Sequence, residues 1–266
     1  VISHPVLTER SPRVVAAVKL HRQVARRRTQ RFLVEGAHLV EAASGRGLVR
    51  EVFVTEAAAQ RYAVLLGRQD AAVSLVTERA AKALSDTVTP VGLVAVCELP
   101  GLGLDDVLAG NPRLLAVGVE IGEPGNAGTL IRIADAMGAA AVIFGGQSVD
   151  PYNGKCLRAS AGSVFSIPVV VQPDTCAAVT ALQAAGLQVL ATTVDGELSL
   201  DDVGLAGPTA WLFGAEAHGL PPRLAQQADS RVTIAMSGGA QSLNVAAAAA
   251  ICLYQSARAQ RANPSS

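Results

Sequence analysis

The stretch RLLAVGVEIGEPGNAGTLIRIADAMGAAAVIFGG, residues 113–146, decides the fold class. Its two apolar runs, 114–119 and 141–145, lack the polar–apolar alternation of a half-exposed strand, so each reads as a strand buried on both faces. Between them Leu130, Ile131, Ile133 and Ala134 give a helical apolar face. Strand, helix and strand in this order form the unit of a mostly parallel sheet covered by helices.

The same alternation continues toward the carboxyl end through LQVLATTV (187–194), TAWLFG (209–214), RVTIAM (231–236) and an alanine-rich helix. Toward the amino end, RFLVEG (31–36), LVREVFVT (48–55), SLVT (74–77) and VGLVAVCEL (91–99) read as strands. AHLVEAASGRG (37–47) and ERAAKALSD (78–86) read as the helices that complete a smaller α/β unit. The Pro- and Gly-rich PGLGLDDVLAGNP, residues 100–112, reads as a linker. The expected organisation is therefore a domain over 1–99, a linker over 100–112 and a larger domain over 113–266.

Of the 266 residues, 50% are hydrophobic, which is enough for a sizeable core. No uninterrupted apolar span approaches the roughly 20 residues of a membrane crossing. The basic amino end lacks the apolar centre of a signal peptide, so a cytoplasmic location is expected. Cys97, Cys156, Cys176 and Cys252 form no C-x-x-C pair and have no neighbouring histidines, so reduced thiols and no metal site are expected.

Net charge is zero, yet residues 1–31 hold Arg10, Arg13, Lys19, Arg22, Arg26, Arg27, Arg28 and Arg31 against one acid, Glu9. A local charge of +7 beside a body of −7 points to a polyanionic partner. Val14, Val15, Val18 and Leu20 suggest that part of this block is an amphipathic helix whose arginines grip phosphates.

Ligands of such sheets gather in loops at the carboxyl ends of the strands. Three of these loops are unusual: the 119–138 stretch with Asn126, Gly128 and Arg132; WLFGAEAHGLP (211–221) with Gly214, Glu216 and Gly219; and SGGAQSLNVAAAAAICLYQ (237–255). None has the G-x-G-x-x-G of a dinucleotide fold, which counts against a nucleotide-dependent oxidoreductase. In the last stretch Val245–Leu253 has no polar side chain, so the helix is expected to be buried almost all round. Ser242 then reads as its N-cap, and Asn244 as a polar residue inside the first turn with groups the helix cannot satisfy.

These three stretches, in this order, resemble the SpoU/TrmH branch of the SPOUT RNA methyltransferases, which methylate ribose 2′-hydroxyls with S-adenosylmethionine. NAGTLIRIADAMG is similar to the first family motif, LFGAEAHGL to the second and IAMSGGAQSLNVAAAAAICLY to the third, with Ala235 where the family usually has proline. DPYNGKCLRASAGSVFSIPV, with Arg158 and Ser160, resembles the segment between motifs one and two. RFLVEG and TPVGLVAV resemble the small ribosomal-protein-like substrate-binding domain often fused ahead of the catalytic one. The layout is also similar to the thiostrepton-resistance ribosomal RNA methyltransferases.

The resemblance implies an α/β catalytic domain with a carboxyl-terminal trefoil knot and a homodimer. It implies S-adenosylmethionine held by Phe213, Gly214, Ile234, Met236, Ser242 and Leu243, without a metal. Arg132, Asn126, Glu216, Ser242 and Asn244 are the implied catalytic set, with Arg132 either an electrostatic clamp on phosphate and alkoxide or a literal base. Glu216 is expected to fix Arg132 or a partner-chain arginine. Asn126 reads alone as a helix cap, but with Arg132 and Asn244 as an orienting group. Arg10, Arg22, Arg26, Arg27, Arg28 and Arg158 are the expected RNA contacts. Ribosomal RNA is the first expected substrate and transfer RNA the second; a noncatalytic RNA-binding protein that kept the fold is a further class.

Overall fold

A computed structural model of the chain describes residues 2–262 and falls into two compact units. The first is formed by the chain up to Gly101 together with Tyr152–Phe165, the second by Leu102–Pro151 together with the chain from Ser166. The first stretch carries β1 (Ile2–Leu7), α1 (Pro12–Val18), α2 (Gln23–Thr29), β2 (Arg31–Glu35), α3 (Ala37–Gly45) and β3 (Val49–Val54). It continues through α4 (Glu56–Arg61), α5 (Ala63–Gly67), β4 (Ala72–Val76), α6 (Glu78–Leu84) and β5 (Leu93–Glu98). The chain then runs through α7 (Leu104–Ala109), β6 (Leu114–Val119), α8 (Pro124–Ala136) and β7 (Ala141–Gly145), and through α9 (Gly154–Ser160) of the first unit. Last come β8 (Val169–Gln172), α10 (Thr175–Ala184), β9 (Gln188–Thr192), β10 (Leu198–Ser199), β11 (Thr209–Phe213), α11 (Pro222–Gln227), β12 (Ser230–Thr233) and α12 (Val245–Ala262).

The first unit has a mixed sheet in the order β1-β4-β3-β5-β2, parallel across β1, β4 and β3 and antiparallel across β3, β5 and β2. Its core takes Val14, Ala17, Leu20 and Ala25 from the basic amino-terminal block. The inward face of that block is thus Val14, Ala17 and Leu20, while Val15 is exposed, which corrects the expected apolar stripe. A short 3-10 turn at Lys19–His21 breaks the block into two helices.

Residues 152–165, which in sequence lie within the expected 113–266 domain, pack in this first unit. The Tyr152 ring sits 4.8 Å from Phe32, and Phe165 stacks on Phe32 at 6.2 Å. His38 Nε2 lies 2.9 Å from the Ala161 carbonyl.

The second unit is a seven-stranded sheet in the order β10-β12-β9-β11-β6-β7-β8, and every pairing is parallel. All residues of β6, β7 and β11 are buried, as the unbroken apolar runs predict for central strands covered on both faces. The expected linker is partly a helix, α7, whose Leu104 and Val107 join the core of this unit. Asp105 and Asp106 in its first turn complement the helix dipole, and Asp106 Oδ2 accepts the Gly103 N–H at 2.8 Å. No helix among the described residues is long and apolar enough to cross a membrane.

Candidate active site

In the second sheet the chain leaves β6 one way, to β7 and β8, while it leaves β11, on the other side of β6, the opposite way, past β9 to β12. The loops leaving β6 and β11 therefore flank a topological switch point, where α/β sheets hold their ligands. At the end of β6, Glu120 takes a left-handed φ of 55°, and its Oε2 lies 3.1 Å from His218 Nε2 in the loop after β11. A non-glycine residue held there stores strain that surrounding contacts must offset.

The loop after β11 doubles back at once. Ala215 and Gly219 form an antiparallel bridge, and a Cβ at Gly214 would overlap the Gly219–Leu220 backbone. Gly214 is thus required by the protein's own chain. Gly238 and Gly239, in the loop before α12, have no protein atom within 4 Å of the position of an added Cβ.

Asn244 is the N-cap of α12, which corrects the reading of Ser242 as the cap and of Asn244 as a first-turn residue. Its Oδ1 accepts the Ala246 N–H at 2.9 Å and the Ala247 N–H at 3.4 Å. Its Nδ2 donates to Asn126 Oδ1 at 3.2 Å and to Glu216 Oε1. One carboxamide therefore starts a helix and joins the three loops singled out in the sequence. Asn126 is not a cap either, because Glu123 accepts the Gly125 N–H and begins α8.

Glu216 binds Asn244 rather than Arg132. Arg132 stands on the exposed side of α8 with no ion pair or hydrogen bond among the described residues, away from the core-facing positions beside it. The buried residues of α8 are Ala127, Gly128, Leu130, Ile131 and Ala134, while Ile133, expected on the same face, is only half-buried.

A cavity of about 340 Å³ lies against these loops, within the range typical of small-molecule sites. Phe213, Gly214, Ile234, Met236, Ser242 and Leu243 all line it, as do Glu216 and His218. Its walls are largely apolar, while the Glu216 and Asp195 carboxylates give it an anionic part. It thus suits a ligand with an apolar ring system and a positive charge. Thr193 Oγ1, in the wall, is buried without a hydrogen-bond partner, a cost that a polar ligand group would relieve.

The sequence reading missed Glu120, His218, Thr193 and Asp195. Glu120 and His218 had a signal, their places inside the first and second loops; Thr193 and Asp195 had none. Asp195 is paired with Arg231 at 3.6 Å, and Arg231 Nε meets Glu197 Oε2 at 2.9 Å. The Arg231 backbone N–H, with smaller help from the guanidinium charge, holds the Glu197 carboxyl below the usual carboxylate range.

α12 is buried on one face only. Trp211 Nε1 donates to Ser256 Oγ at 2.8 Å inside the unit, and Cys252 packs against the core with its thiol pushed up to about 12 by burial. Ala247, Ile251, Tyr254 and Arg258, spaced three or four residues apart, are exposed. One chain covers only the face packed on α8, β11 and β6, which corrects the expectation of burial all round.

Arg26 departs from the expected RNA-binding set. It is 5% exposed, and its Nη1 donates to the Leu20 and His21 carbonyls, both at 2.9 Å. Those carbonyls end the 3-10 turn and need a donor. Arg10, Arg22, Arg27 and Arg28 are exposed, and Arg158 is paired with Asp86.

The SpoU rRNA Methylase family matches residues 113–254, and the MRM3-like substrate binding domain matches residues 11–95. The chain is 35% identical over 237 residues to the 23S rRNA (guanosine(2553)-2′-O)-methyltransferase RlmP of Bacillus subtilis, covering 89% of this chain and 92% of that one. The SpoU methyltransferase AviRb from Streptomyces viridochromogenes, solved with AdoMet, superposes with a TM-score of 0.86 at 32% identity, over 95% of this chain and 99% of that one. An AdoMet-bound rRNA methyltransferase from Sinorhizobium meliloti gives 0.85 at 28% identity, over 97% and 98%.

Proposed function

Because the chain belongs to the SpoU rRNA Methylase family, we propose that it transfers a methyl group from S-adenosylmethionine to a ribose 2′-hydroxyl of ribosomal RNA. The observation that carries this reading is the Asn244 carboxamide, which joins Asn126 and Glu216 beside the cavity. Phe213, Gly214, Ile234, Met236, Ser242 and Leu243 would hold S-adenosylmethionine, which supplies a sulfonium methyl electrophilic enough to need no metal ion.

A ribose hydroxyl is a poor nucleophile at neutral pH, so orienting it is the larger part of catalysis. Asn126 and Asn244 orient the reacting groups, and Glu216 fixes the Asn244 amide. Arg132, exposed and unpaired among the described residues, clamps a phosphate and stabilises the developing alkoxide. Arg132 as the literal base is the other form of the same proposal. Arg10, Arg22, Arg27 and Arg28 meet phosphates on the first unit, and Arg158 contacts RNA or serves a second copy's site.

A homodimer belongs to the same reading. It is supported by the exposed apolar stripe of α12, where Ile251 is 37% and Tyr254 49% exposed. The trefoil knot is part of it too, supported by the likeness to SpoU structures. A cytoplasmic location fits a ribosomal RNA substrate.

Mapping of 2′-O-methyl sites in cellular RNA with and without the protein tests the activity, and calorimetry tests the cofactor. Loss of a methyl from ribosomal RNA is the expected result. Loss from transfer RNA would move the substrate, and cofactor binding with no methyl lost anywhere would favour a noncatalytic RNA-binding protein.

A further inference from the structure

The first unit contains its own cavity of about 220 Å³. Leu20, Leu33, Leu39, Leu84 and Leu157 line it from five separate segments. Among them stand groups of both signs: Arg26, Lys155 and Arg158 against Glu35 and Asp86. We propose that this cavity receives one unstacked guanine of the RNA, an inference that rests on RNA being the substrate.

A phosphate alone has no use for five leucines, and it would meet two carboxylates among the three cations. A flat apolar plate with donors and acceptors around its edge finds a complement everywhere. Unstacked bases are held in this way, between apolar or aromatic side chains with polar groups reading the edge.

The fixed charges select the base. The Arg26 guanidinium is buried and held by the Leu20 and His21 carbonyls, so it is part of the wall, and Glu35 is the group that reads the base. Guanine carries two adjacent donors on its Watson–Crick edge, N1–H and the N2 amino group, where adenine has an acceptor at N1. Glu35 Oε1 takes bonds from Ser85 at 2.8 Å, Thr87 at 3.3 Å and the Val91 N–H at 3.3 Å. Among the described residues its Oε2 shares only the Ser85 hydroxyl, at 2.7 Å, so the carboxylate keeps acceptor capacity for the N1 and N2 donors of guanine.

Asp86 adds a second carboxylate beside α9. It is paired with Arg158, and a Cβ at residue 154 would collide with it. Exposed Arg22, Arg27 and Arg28 on and just before α2 give the adjoining RNA backbone a cationic track.

The test uses the full chain with labelled leucine methyls, titrated in turn with the four ribonucleoside 5′-monophosphates. Guanosine monophosphate should shift the Leu33, Leu39 and Leu157 methyls saturably, at least about fivefold more tightly than adenosine monophosphate. Glu35→Gln should reduce that preference; Asp86→Asn, at a half-exposed side chain, should do the same and guards against misfolding of the first variant. Shifts confined to Leu243 and Leu220 would put the nucleotide in the other cavity, and equal affinity for all four would reduce this one to a phosphate contact. Either result overturns the proposal. Calorimetry with S-adenosylmethionine and methyl transfer to ribosomal RNA are run on the same sample. If both persist while the first unit's leucines stay unshifted, only the guanine cavity fails; loss of both overturns the functional reading instead.

Discussion

Asn244 is the residue at which structure and chemistry separate most cleanly by substitution. Asn244→Ala removes the α12 cap and both bonds from Nδ2, whereas Asn244→Ser keeps a good N-cap and loses only the bonds to Asn126 and Glu216. A lost cap costs about 1 kcal/mol. Two lost side-chain bonds at an exposed site cost together about 1 kcal/mol more. Asn244→Ala should therefore be less stable by about 2 kcal/mol, and Asn244→Ser by about 1 kcal/mol. For a chain of this size that lowers Tm by roughly 4–8 °C and 2–4 °C respectively. Thermal unfolding by circular dichroism reads the stabilities, and single-turnover transfer of labelled methyl to ribosomal RNA reads the chemistry. Asn244→Ser should fold and bind cofactor, yet transfer methyl at least about tenfold more slowly, because the orienting groups lose their common anchor. Wild-type transfer by Asn244→Ser would refute the view that this carboxamide organises the reacting groups. Wild-type stability of Asn244→Ala would refute its place as the cap.

Arg132→Ala should leave cofactor binding nearly unchanged in calorimetry while lowering single-turnover transfer at least roughly a hundredfold, and Arg132→Lys should not restore it. Arg26→Ala leaves the Leu20 and His21 carbonyls without their donor and should cost about 2 kcal/mol in thermal unfolding, whereas Arg27→Ala should cost nearly nothing. Replacing Arg22, Arg27 and Arg28 together by Gln should flatten the salt dependence of RNA binding by about 2 in log–log slope, and an unchanged slope would make them a solvated face. A thiol reagent at pH 8 should modify exposed Cys176 in the native protein. Burial raises the Cys97 and Cys252 thiols, the latter to about 12, so both should stay protonated and unreactive until denaturant is added.

What the sequence discloses here is what repeats along it. The buried strands β6, β7 and β11 show as unbroken apolar runs, and the amphipathic α8 shows as spacing, so the sheet and its loops are legible. Short elements hidden by their composition are not. α7 lies among glycines and prolines that suggest a linker, and only Leu104, Val107 and Leu108 with the two aspartates betray a helix. Cap identity is legible only when one candidate stands alone; Ser242 and Asn244 are two residues apart, and the backbone decides between them. Arg26 and Arg27 are neighbours of one type, yet one is buried and the other exposed, because a helix turns by about 100° per residue. The left-handed Glu120 and its bond to His218, 98 residues away, leave no local trace.

The excursion of Tyr152–Phe165 into the first unit bears on how the chain is made. A fragment ending at Gly101 would lack the Tyr152 and Phe165 rings that pack on Phe32, and with them a wall of the unit's own core. His38 waits for Ala161, 123 residues downstream, which at synthesis rates of roughly 5–20 residues per second means about 6–25 s on the ribosome. During that interval β2 offers an apolar surface to solvent, and chaperones have a defined window in which to hold it. A unit begun before the second is thus finished only after Phe165 has been made.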